Sequence, residues 1–155
     1  MNVKMRSRGR ELALQFLYQV DLRGTDVLED LPSFLHDEER EKDAVRFAES
    51  LVRGAVDRRA EVDEMIQAVA QNWKLERMAA IDRNVLRLAA FEMMYVPDVP
   101  PKVSINEAIE LGKRYSTQNS GGFINGILDK IRERYWVPKF EAKPDPSGAA
   151  EGGAA

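Results

Sequence analysis

The sequence predicts an all-α protein of about seven helices. Apolar residues recur at three- and four-residue spacing through most of the chain, glycine and proline punctuate it between the periodic stretches, and no stretch alternates apolar with polar in the manner of a half-buried strand. The first helix is expected over about residues 7–22, with Leu12, Ala13, Phe16, Leu17 and Val20 on its buried face and Gly24 as its stop. At about 100° per residue, Arg8, Glu11, Gln15 and Tyr18 form a second stripe that points away from that core.

A short helix near residues 27–36 follows. Next come an acidic helix over about 39–56, with Phe47, Leu51 and Val52 inward, and another over about 59–71; the pattern allows these two to be separate or one bent helix. Trp73 and Leu75 begin a linker. The helix after it, about 78–96, is apolar on most of its circumference through Ile81, Val85, Leu86, Leu88, Ala89, Ala90, Met93 and Met94, which marks it as central. Pro97, Pro100 and Pro101 then stiffen the connection, since each fixes its own φ and disfavours helix in the residue before it.

Ser104 and Glu107 read as an S-x-x-E capping box, which would start the next helix at Ile105; Ile105, Ala108, Ile109 and Leu111 give it an apolar face, and Tyr115 closes it. The last helix is expected to open near Ser120, with Phe123, Ile124, Ile127, Leu128 and Ile131 buried. Gly126 inside it costs about 1 kcal/mol relative to alanine. A close approach to Gly112 would compensate, making an antiparallel hairpin with the loop of residues 115–123 at its tip. The tail, 139–155, carries too little hydrophobicity to fold and is expected to be disordered.

A length of 155 residues with 44% hydrophobic content suits one compact domain, here taken as residues 1–138. The chain has no cysteine, which removes disulfides, thiolate metal sites and cysteine nucleophiles and agrees with a cytoplasmic protein. No apolar run approaches the roughly 20 residues that span a bilayer, and no signal-peptide core opens the chain. The net charge is only −3, but it is segregated: residues 1–10 hold Lys4, Arg6, Arg8 and Arg10 with no acid, residues 26–64 hold 13 acids against 6 bases, and residues 72–140 hold 11 bases against 8 acids. A polyanion would be drawn to a surface built from the two ends and repelled by the middle.

Catalysis finds little support. His36, the single histidine, has no nucleophile pattern around it, and the chain has no phosphate-binding glycine loop, metal-ligand cluster or serine elbow. No cofactor is expected, and the protein is read as a non-enzyme.

The strings KVSINEAIELGKRY and GGFINGILDK, with RSRGRELALQFLY near the front and IDRNVLRLAAFEMMY in the middle, closely resemble the NusB family of transcription antitermination factors and stand in that family's order from about Arg6 to about Ile131. The resemblance implies two three-helix bundles, an N-terminal one over about 6–71 and a C-terminal one over about 78–136. It also implies binding of single-stranded boxA RNA together with NusE, a ribosomal small-subunit protein, and assembly of the antitermination complex on RNA polymerase, including on ribosomal RNA transcripts. Carried onto this chain, the RNA surface would comprise Arg6, Arg8, Arg10, Gln15, Tyr18, Lys102, Tyr115, Asn119 and Phe123, to which the charge pattern adds Lys4. The central helix would face NusE through Asp82, Arg83 and Glu92.

The residues themselves allow this chemistry. If Lys4, Arg6, Arg8 and Arg10 each met a phosphate of one strand, the salt slope would be about −3 and affinity would fall about fiftyfold between about 50 and 200 mM salt. Tyr115 and Phe123 can stack on bases or pack in the core, and Asn119 can read a base edge or cap a turn. Two rivals stand beside the main reading: a free-standing ribosomal RNA-binding module like that of the ribosomal RNA cytosine methyltransferases, and a helical protein-protein adaptor that never touches RNA. Whether the chain forms a homodimer is open.

Overall fold

The first helix, α1 (Val3–Arg23), starts one turn before its apolar periodicity does, because Asn2 caps it by accepting a hydrogen bond from the Met5 N–H at 2.9 Å. The basic residues near the front are therefore helical turns and not a flexible arm. Gly24 ends α1 at φ 94°, a conformation that glycine takes at no steric cost. The computed structural model describes residues 2–138. The expected disordered tail lies outside that range.

A 3₁₀ turn (Thr25–Asp30) leads into α2 (Leu31–Glu38), and α3 (Lys42–Asp57) and α4 (Arg59–Val69) follow as two helices parted at Arg58. A second 3₁₀ turn (Leu75–Arg77) precedes α5 (Ala80–Tyr95), α6 (Pro101–Tyr115) and α7 (Ser120–Tyr135). The described residues contain seven α-helices and no strand. No described helix is long and apolar enough to cross a membrane.

Helices α1, α2 and α3 pack on one another, as do α5, α6 and α7, while α4 bridges α3, α5 and α7. The groups meet where α1 lies on α5. Gly9 lets α1 approach α3 closely: a Cβ there would sit 2.9 Å from Phe47 Cδ2 and 3.1 Å from the Ala44 carbonyl oxygen. The predicted inward faces of α1, α5 and α7 are buried, including Leu12, Phe16, Val20, Val85, Leu86, Ile124, Leu128 and Ile131.

Two local readings need correction. Helix α6 begins at Pro101 and not at Ile105, since proline at the first helical position lacks only an N–H that had no partner to lose. Ser104 and Glu107 lie inside the helix and form no capping box; both side chains turn toward α1 and α5 instead. The α6–α7 approach also uses a different glycine. A Cβ on Gly112 would lie 2.4 Å from Ile124 Cδ1 and one on Gly121 3.2 Å from Ile109 Cγ2, whereas Gly126 faces open space. Nothing in the structure offsets its cost, so Gly126→Ala should raise stability by about 0.5–1 kcal/mol, read as a higher urea midpoint with an unchanged slope.

Candidate functional site

The N-terminal half of α1 faces α6 across a cleft, linked to it by side chains about a hundred positions apart in the chain. Ser7 Oγ donates to Glu107 Oε1 at 2.9 Å, the Tyr115 hydroxyl donates to Glu11 Oε2 at 3.0 Å, and Arg114 pairs with the same Glu11 oxygen. Burial first, and then the bond to Glu11, hold the Tyr115 hydroxyl above its usual pKa, so it stays a protonated donor. Between the helices runs a cleft of about 680 Å³ whose cationic lining is Lys4, Arg8, Lys113 and Arg114, with Gln118 from the loop. The front of the chain and the tip of the last hairpin thus share one face.

The four cations predicted near the front differ in their surroundings. Lys4 is exposed and forms no ion pair among the described residues, and the same holds for Lys102 on the first turn of α6. Arg6 donates to Asp98 Oδ2 at 2.7 Å and lies 4.9 Å from the Phe47 ring centroid. Arg8 donates to Glu39 Oε1 at 2.8 Å and to Glu11 Oε1 at 3.2 Å. The Arg6 and Arg8 guanidiniums hold the Asp98 and Glu39 carboxyls below the usual range, so these acids stay charged partners at neutral pH.

Arg10 corrects the expectation of four phosphate contacts. It is 3% exposed, and its guanidinium is used up by Glu92, at 2.9 and 3.1 Å from Nε, and by Glu107, at 3.2 Å from Nη1. Spacing along the helix could not reveal this, since the acids that claim it come from α5 and α6. Glu92, read as facing a protein partner, is 1% exposed and also accepts from Ser104 Oγ at 2.9 Å. It belongs to the interior.

Arg83, the second residue of that proposed face, is half-buried and donates to Asp21 Oδ2 at 2.7 and 2.9 Å, tying α5 to the end of α1. Asp82, the third, does not stand apart from the loop residues: it lines a cleft of about 260 Å³ together with Asn119 and Phe123. Phe123 is half-buried and meets the Trp73 ring edge-on, with centroids 5.5 Å apart. Asn119 is exposed at the N-cap of α7 and its side chain makes no capping bond, which leaves its amide free. Gln15 and Tyr18 are half-buried on α1.

Four of the predicted RNA-binding residues line two clefts, Lys4 and Arg8 one and Asn119 and Phe123 the other, while Arg6, Gln15, Tyr18, Lys102 and Tyr115 line neither. Sequence reasoning passed over Trp73, Arg77 and Gln118. Trp73 stands in a non-periodic linker, where no helical stripe tells which way a side chain faces. Among the described residues, no group of histidine, cysteine and carboxylate side chains could hold a metal ion.

The NusB family model matches residues 7–133. The transcription antitermination protein NusB of Anaeromyxobacter dehalogenans strain 2CP-1 is 53% identical over 127 residues, covering 81% of this chain and 89% of that protein. The NusB of Myxococcus xanthus is 48% identical over 130 residues, covering 81% and 93%. Among solved structures, T. maritima NusB superposes with a TM-score of 0.79 at 38% identity, covering 88% of this chain and 96% of that one. A structure of the antitermination factors NusB and NusE in complex with double-stranded RNA superposes at 0.78 and 29% identity, covering 86% and 100%. The matches cover nearly the whole described length, and the chain belongs to the NusB family of transcription antitermination proteins.

Proposed function

We propose that this protein binds single-stranded boxA-like RNA together with NusE and helps assemble the antitermination complex on RNA polymerase in the cytoplasm, including on ribosomal RNA transcripts. The observation that carries the reading is the shared face: the cationic turns of α1 lie beside the α6–α7 tip, so phosphate-binding charge and base-stacking rings are within reach of one strand. The structural neighbour that holds NusE and double-stranded RNA supports NusE and RNA as classes of partner. Positioning is the whole mechanism. Lys4, Arg6 and Arg8 gather phosphates, Tyr115 and Phe123 offer ring surface, Asn119 reads a base edge, Gln15, Tyr18 and Lys102 extend the surface, and Asp82 and Arg83 border the protein partner. Arg10 and Glu92 hold that surface in place from beneath.

With Arg10 withdrawn, three phosphate contacts remain at the front of the chain. They predict a salt slope of about −2, hence about a twentyfold loss of affinity between about 50 and 200 mM salt. The test is a titration of labelled boxA-like RNA and a scrambled strand, with and without NusE, at those two salt concentrations. Sequence-selective binding that NusE tightens supports the proposal. Equal binding to both strands would point to a generic ribosomal RNA module, and NusE binding without RNA binding to a protein adaptor.

A further inference from the structure

Half the bases in the acidic middle of the chain are gathered in one place. Of the six among residues 26–64, Arg40, Lys42 and Arg46 line a cleft of about 610 Å³ between α2 and α3. Helix spacing builds it: Lys42, Val45 and Arg46 share one face of α3, three and four residues apart, and Pro32 and Leu35 line the α2 side. Leu35 is buried and Val45 half-buried, so the floor is apolar, while the three cations stand exposed around it.

The charges of this cleft do not cancel. Its acids are already engaged, since Glu39 Oε1 accepts from Arg8 at 2.8 Å and Oε2 from the Glu41 N–H at 3.1 Å, and Glu49 pairs with Arg53 at 2.9 Å. Its cations are not. Among the described residues Arg40 and Lys42 form no ion pair, and Arg46 has only Asp43 at 3.4 Å, with both side chains largely in solvent, a contact worth little. An apolar floor ringed by surplus positive charge fits a partner that is apolar along one stripe and acidic beside it.

We propose that the α2–α3 cleft docks a short acidic amphipathic helix of a second protein, with aliphatic side chains seated on Leu35 and Val45 and carboxylates paired with Arg40, Lys42 and Arg46. The eight residues of α2 rise about 12 Å, two helical turns, so the aliphatic anchors of the partner stand at i and i+4. RNA suits the cleft less well. Among the described residues no phenyl, phenol or indole ring lines it to stack a base, and the exposed Asp37, Glu38, Glu41 and Asp43 beside it repel a strand that carries a charge at every nucleotide. A peptide can set a few carboxylates opposite the three cations and keep its flanks neutral. Helices α6 and α7 contribute nothing to this cleft, so docking there leaves the α1–α6 cleft open, and the proposal stands independently of the RNA-binding reading.

The experiment measures, by fluorescence anisotropy, binding of the full chain to a labelled, helix-constrained alanine peptide that carries leucine at i and i+4 and glutamate beside them. The wild type should bind it about tenfold more tightly than the same peptide with lysine for glutamate or serine for leucine. Arg40→Glu combined with Lys42→Glu, both at exposed positions, should weaken the leucine–glutamate peptide about tenfold and leave boxA-like RNA at wild-type affinity, while Lys4→Glu, in the other cleft, should leave the peptide unaffected. Far-ultraviolet circular dichroism confirms that each variant keeps its helices. Unchanged peptide affinity in the double variant, equal binding of the serine peptide, or an equal loss in Lys4→Glu would overturn the proposal. Two further results would reassign the cleft and overturn it as well: loss of RNA binding in the double variant as large as its loss of peptide binding would give it to RNA, and a wild-type dimer that the double variant breaks, read by sedimentation equilibrium, would give it to a second copy of the chain.

Discussion

Replacing Glu92 with alanine is expected to lower stability by about 3–5 kcal/mol, because it strands a buried guanidinium. The Glu92 carboxylate takes both bonds from Arg10 Nε and one from Ser104 Oγ, and the Arg10 and Glu92 side chains are only 4% and 2% exposed. After truncation Arg10 retains a single oxygen, Glu107 Oε1 at 3.2 Å, on a residue that is itself partly in solvent. A control separates this from ordinary loss of an acid. Glu49 pairs with Arg53 at 2.9 Å, but their side chains are 40% and 48% exposed, so Glu49→Ala should change stability by less than about 1 kcal/mol. Urea unfolding of both variants decides the matter; equal midpoints would refute the interior role. An apolar replacement of the pair, Arg10→Met with Glu92→Leu, should recover much of the loss, since burying two charges is itself costly. On the proposed function the same pair should act at a distance. Arg10 and Ser7 fasten α1 to α5 and α6, so Glu92→Ala should also weaken RNA binding by letting Lys4 and Arg8 drift from the α6 side of their cleft.

The second large effect lies at the other end of α1. Asp21 Oδ2 accepts from Arg83 at 2.7 and 2.9 Å and from Asn84 Nδ2 at 3.0 Å, while Oδ1 lies 3.3 Å from both Arg59 and Arg87. Asp63 is the other acid of the group, 2.8 Å from Arg87 Nε. Asp21→Ala should cost about 3 kcal/mol, since one acid must then answer for three guanidiniums. The network also sets a pH dependence. Burial alone would raise the Asp21 carboxyl, but the hydrogen bonds from Arg83 and Asn84 and the charge of Arg87 outweigh it and hold the group below its ordinary value of 3.8. Its contribution is therefore complete above that value and is lost as pH falls from there through the lower folded value. Asp21→Asn should flatten that part of the acid limb in stability measured from about pH 6 to about pH 3; an unchanged limb would show that Asp21 does not titrate with folding.

Helix existence and inward faces were legible in the sequence because they depend on local periodicity. Leu12, Phe16 and Val20 lie where a period of 3.6 puts them, and Ile124, Leu128 and Ile131 do the same in α7. Boundaries governed by polar side chains were less so. Ser104 and Glu107 have the spacing of a cap, yet Pro101 starts the helix and the two are drawn to Glu92, Ser7 and Arg10. The charge segregation correctly suggested that the two ends share a surface, but a charge count does not distinguish Arg8, which lines a cleft, from Arg10, which is buried beneath it. Trp73 shows the same limit for shape: only the fold brings a linker residue beside Phe123.

The bonds that join α1 to α6 span most of the chain, 100 residues between Ser7 and Glu107 and 104 between Glu11 and Tyr115. During synthesis at about 5–20 residues per second, Arg10 precedes its carboxylate partners Glu92 on α5 and Glu107 on α6 by several seconds. For that interval Arg10 has no acid partner, whereas Arg8 already has Glu11 and soon Glu39. Final closure of the contact adds little entropy cost, since each doubling of loop length costs only about 0.6 kcal/mol. The order of translation thus leaves the α1–α6 contact unmade until all of the described helices but α7 have been synthesised.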